Sequence, residues 1–171
     1  MTKFLLAVHV LAAIVAIGPV TVAASMFPPA ARRVLAAPGD ERAAETVRLL
    51  HRVCRVYAVV GVVVPVFGFA TGSAMGVLGD AWLIVSIALT VLAALVLGTL
   101  VLPRQEALVE GIDARTGSHA GAGIGAHAGT LTGTGGREAT VRLAMLTGVF
   151  NLLWATVTVL MIVRPGSTTG A

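Results

Sequence analysis

The sequence predicts an all-α protein, a bundle of four transmembrane helices with a helical cytoplasmic extension and a Gly-rich cytoplasmic loop. Three observations carry this. Hydrophobic residues make up 57% of the 171 residues and charged ones only 12%, where a soluble domain carries about a quarter. The charges are gathered into short stretches, leaving four uncharged runs of the roughly 20 residues that a spanning helix needs. Finally, the basic residues fall mostly on one side of those runs, as the positive-inside rule requires of a multi-pass protein. The length suits one domain, residues 1–171.

The first span, Phe4 to Met26, is apolar apart from His9, Thr21 and Ser25. A cleaved signal peptide is the competing reading, with Lys3 as its n-region and Ala23-Ala24-Ser25 near a cut. That reading would place the following arginines outside, against the charge bias. Phe27-Pro28-Pro29 is expected to end the helix, because proline lacks a donor and clashes with the preceding turn. Pro38-Gly39 reads as a turn and Asp40 as an N-cap.

From Glu41 the pattern is helical. Ala43, Val47, Leu50 and Cys54 share one face, and Arg48, Arg52 and Arg55 another. This predicts an amphipathic lead-in near the inner membrane surface, its three arginines on anionic lipid head groups. A partner-binding helix is the alternative. The second span is Val56 to Gly79. Pro65 should kink it, since the carbonyl of Gly61 loses its partner. A short loop around Asp80 leads into the third span, Ala81 to Leu102. Its helix should run past Pro103 to Arg115 as a polar extension. Thr116 to Gly136, rich in Gly, Ala and Thr, has no apolar periodicity and is expected to be flexible. Leu143 to Val163 is the fourth span.

The loop between spans one and two holds six arginines, and that between spans three and four holds four. Only Lys3 and Arg164 lie on the other side. Loops 27–55 and 103–142 are therefore expected in the cytoplasm and both termini outside, in a bacterial plasma membrane. The net charge of +4 is explained by these flanking arginines, so nucleic acid is not an expected partner. The lipid bilayer is. One cysteine, Cys54, excludes an intramolecular disulfide.

Small residues let helices approach closely in a membrane. Helix two carries Gly68, Gly72 and Gly76; helix three carries Ser86, Thr90, Ala94 and Gly98; helix one has Ala12 and Ala16, and helix four Ala144 and Gly148. These four-spaced rows are expected to pack the bundle. A homo-oligomer packed through one of them is the alternative.

His9 is the only ionisable side chain well inside a span, and such residues are functional by default. It lies roughly 7 Å below the outer edge of the hydrocarbon core. Thr71, Ser86 and Thr158 fall at a similar depth, which predicts a polar layer. Asn151 is deeper, roughly 12 Å above the inner edge, where an interhelical amide bond is its expected job. Haem is the one cofactor worth testing, with His9 as an axial ligand and Met75, about level with it, as a second. His51 lies at the opposite end. Otherwise the sequence predicts no cofactor and no metal site: His119 and His127 share a loop without a Cys or carboxylate cluster. Gly121 to Ala126 mimics a dinucleotide fingerprint but lacks its strand, helix and acid. No paired intramembrane carboxylates, Gly-x-Ser-x-Gly or Walker loop is present, so no catalytic residue is assigned.

The opening Phe4-Leu5-Leu6 with His9-Val10-Leu11-Ala12-Ala13-Ile14, then Pro65, Gly68 and Gly72, Trp82-Leu83 and Leu102-Pro103 resemble a bacterial family of predicted integral membrane proteins, the domain of unknown function 2269. The resemblance spans most of residues 1–163. It implies a four-helix fold and a histidine in helix one, and it assigns no reaction. The chain departs from that pattern after the histidine, reading Ala16-Ile17-Gly18-Pro19 where a Trp and a Gly-Gly pair are often found. The expected function is a structural or accessory role in the plasma membrane. A haem-binding or redox protein using His9 is the alternative, and a small transporter or channel the second.

Overall fold

The computed structural model describes residues 2–37, 39–120 and 134–166, with the backbone alone at 116–120 and 134. The described residues are helical throughout their regular structure: α1 Thr2–Ala36, α2 Glu41–Val60, α3 Val63–Met75, α4 Ala81–Leu95, a π turn Val96–Val101, α5 Leu102–Ala120 and α6 Thr134–Val163. They make four stretches long and apolar enough to cross a membrane: Thr2–Ala36, Glu41–Met75, Ala81–Arg115 and Gly135–Val163. Three of these are 35 residues long, about 52 Å at 1.5 Å per residue. That exceeds the roughly 30 Å needed to cross a hydrocarbon core. One end carries Thr2, the α3–α4 loop and Gly166, and is called the terminal end below. The other is the arginine-rich end.

The prolines at 28 and 29 do not end α1, which continues to Ala36. Phe27, Pro28, Ala31 and Val34 are buried in the seam with α2. That packing outweighs the two hydrogen bonds the prolines remove. The lead-in before the second span is α2 itself. Asp40 caps it, its Oδ1 accepting from the Ala43 N–H at 3.1 Å. Its apolar face, Ala44, Val47 and Cys54, is buried against α1 and α5.

The second span is interrupted, not merely kinked. Pro65 has no N–H for the Gly61 carbonyl, so the Val64 N–H donates to it at 3.1 Å, and α2 and α3 separate at Gly61–Val62. The third span accommodates Pro103 differently. Just before it, the Leu102 N–H reaches back five residues to the Leu97 carbonyl, opening a π turn. Helix three does continue past Pro103, as α5. Helix covers Thr116–Ala120 and Thr134–Gly136; the rest of the expected loop, with the glycine-rich run and His127, lies outside the described residues.

The main apolar core joins Val20, Phe27, Ala31, Val34, Val47, Ala93, Val96, Leu97, Val101, Leu108, Ile112, Leu143 and Phe150. The small-residue rows serve only in part. Gly68 and Gly72 are close contacts, Ser86 is fully buried and Thr90 half-buried. Ala94, Gly98, Ala144 and Gly148 are exposed, and Gly76 is a left-handed helix cap at φ 70° with nothing against it. A four-residue step turns 400°, so each step drifts about 40° around the helix. Three steps carry Gly98 off the face that Ser86 buries. The buried row on this helix is Ser86, Ala93, Leu97 and Val101.

Candidate functional site

His9 lies on the terminal half of α1, where it faces α3 and is 8% exposed. Its Nδ1 is 3.0 Å from the Val64 carbonyl oxygen. A carbonyl can only accept, so Nδ1 carries the proton and donates. In the neutral ring this leaves the lone pair on Nε2. The ring rests on Gly68. A Cβ there would stand 2.8 Å from His9 Cε1, 3.3 Å from Nδ1 and 3.6 Å from Nε2, so only glycine leaves room for the imidazole. Nε2 has no hydrogen-bond partner among the described residues.

The expected polar layer does not act as one network. Thr71 and Ser86 are buried, but their hydroxyls donate to their own helices, Thr71 to the Phe67 carbonyl at 2.7 Å and Ser86 to Trp82 at 2.8 Å. Thr158 is exposed, donating to Trp154. Each bond runs to the residue four back, the usual way such a hydroxyl is satisfied within a helix. Met75 ends α3, seven residues or roughly 10 Å beyond Gly68. The imidazole itself lies directly on α3 at Gly68.

Asn151 reaches across to α1, its Nδ2 donating to Ser25 Oγ at 3.0 Å, and Ser25 donates on to the Thr21 carbonyl. A second tie, which the sequence reading missed, lies toward the arginine-rich end. Gln105, fully buried, donates from Nε2 to Cys54 Sγ at 3.7 Å and pairs through Oε1 with His51 Nδ1 at 3.3 Å. The signal was legible: Val101, Gln105, Leu108 and Ile112 recur at one helical face. At the terminal end, Trp82 donates to Asp80 at 3.0 Å, and the Arg164 guanidinium sits 5.7 Å from its ring centre, within cation–π range.

No family model, curated protein or solved structure matches the chain.

The arginines divide by partner. Arg48 donates to Glu41 at 2.8 Å and Asp113 at 2.7 Å, and these bonds hold its guanidinium more firmly protonated than usual. Its charge is thus matched within the protein. Arg52 and Arg55 are exposed, with no ion pair among the described residues. Nor do three His, Cys, Asp or Glu come together among those residues as a metal site.

Proposed function

We propose that this protein is a structural or accessory four-helix component of the bacterial plasma membrane, in which His9 fastens helices rather than performing chemistry. The observation that carries it is the Nδ1 donation to Val64 over Gly68. An interhelical polar bond of this kind stabilises a membrane bundle by about 0.6 kcal/mol on average. The arginine-rich end faces the cytoplasm, both termini face out, and Arg52 and Arg55 meet anionic head groups. The family that its first span resembles is part of the same proposal.

A second reading rests on the same contact. A ligating histidine is commonly held by its other ring nitrogen on a backbone carbonyl, and here Nε2 is left open. A haem bound through His9 alone, five-coordinate, is compatible with that arrangement.

The visible spectrum of the detergent-purified protein, oxidised and then dithionite-reduced, separates the two. The accessory reading expects a colourless protein, even when expressed with haem supplied, and a His9→Ala variant that is only slightly less heat-stable. A Soret band lost in His9→Ala would overturn it in favour of haem.

A further inference from the structure

Two of the four spanning helices depart from regular α geometry, and their registers place both departures level with the stretch of α1 that ends at Pro19. Along the seam of α1 with α2 and α3, His9 meets Val64 and Gly68, and Ala23 and Ala24 meet Cys54. Antiparallel register then sets Val15 opposite Gly61. Along the seam of the second and third spans, Gly72 meets Leu83 and Cys54 meets Gln105. Between those contacts Gly61 comes level with Val96, where the π turn begins.

α1 stays continuous there, although Pro19 inside it offers no N–H to the Val15 carbonyl. At Gly61–Val62, bonds run three residues back, Val62 to Val59 and Val64 to Gly61. In the π turn one runs five back, Leu102 to Leu97. Kinks and π turns of this kind are where helices bend. Only α6 passes without a proline.

Packing differs across the level too. Both apolar clusters lie at it or on its arginine-rich side, from Val20 on α1 and Ala93 on α4 onward. The buried residues beyond it, among them His9, Thr71, Leu83 and Ser86, belong to neither. There His9 ties α1 to α3, through the Val64 carbonyl and over Gly68.

We infer that Val15–Pro19, Gly61–Pro65 and Val96–Val101 form a hinge, about which the terminal half of the bundle swings as a unit on the arginine-rich half. The hinge is independent of whether His9 holds a cofactor. It joins two breaks in helical hydrogen bonding and one intrahelical proline at one level above a packed base, the kind of place at which helices bend.

Paired spin labels test it, in Cys54→Ala protein reconstituted into lipid nanodiscs. One pair crosses the hinge, at Ala70→Cys and Met145→Cys. The other stays in the arginine-rich half, at Glu45→Cys and Met145→Cys. All three positions are exposed. The crossing pair should show a distance distribution about twice as wide as the other or wider. Pro19→Ala with Pro65→Ala should narrow the crossing pair alone. Equal, narrow distributions with both prolines in place would overturn the hinge. So would an undiminished width in the double variant at native helix content. If the double variant fails to fold, the first comparison decides.

Discussion

The two halves of the bundle are held together by different means. Toward the arginine-rich end, side chains from all four spanning helices interlock around Phe27, Val101, Leu143 and Phe150, and Arg48 ties α2 to α5 through Asp113. Toward the terminal end, outside those clusters, the described ties include His9 on Val64, His9 on Gly68, Leu83 and Leu78 on Gly72, and Trp82 between Asp80 and Arg164. In lipid, burying an apolar side chain gains little, since the tails are equally apolar. Close fit and polar bonds must do the holding. One half has many fits that support one another, while the other depends on a few, each exposed to single substitutions.

The sharpest way to break that contrast is to remove a core side chain. Phe27→Ala should lower stability by about 3–5 kcal/mol, read from denaturation in mixed micelles. Leu83→Ala should cost clearly less, because its half has fewer neighbours to lose. Equal losses would mean that the halves are equally packed. A smaller effect is expected at the clasp. Gly68→Ala puts a methyl 2.8 Å from His9 Cε1 and should cost about 1–3 kcal/mol. Most of that cost should vanish when His9 is already alanine; if it persists, the glycine serves something other than the ring. The smallest effect belongs to the ion pairs. Arg48→Gln should change stability by no more than about 1 kcal/mol, less still in high salt. A larger, salt-insensitive loss would show that Arg48 does more than join two exposed carboxylates.

Much of the fold was legible because it follows from gaps between charges. Four uncharged runs give four helices long and apolar enough to span a membrane, and Asp40 before Glu41 announces a capped start. Local rules failed where neighbours intervened. Pro28 and Pro29 read as a stop, but burial of Phe27, Ala31 and Val34 against α2 carries the helix through. Gly76 extended a packing row on paper and became a left-handed cap. Thr158 shared a depth with His9 but not a face, since depth is set by counting and orientation by crossing geometry. The candidate site was half legible. A lone intramembrane histidine marks itself, whereas its acceptor on Val64 belongs to a helix 55 residues away in sequence.

The sequence alone determined that this chain is helical, which stretches can cross a membrane, and that His9 is the residue to question. Hydropathy and charge spacing are properties of neighbouring residues, so the one-dimensional order contains them. Only the tertiary structure decided that Gly68 is the floor under that histidine, that Arg48 is paired with Asp113, and that two backbone departures fall at one level. Those depend on which residues of separate helices come side by side. That register is set by the joint packing of whole helix faces, and no single segment encodes it.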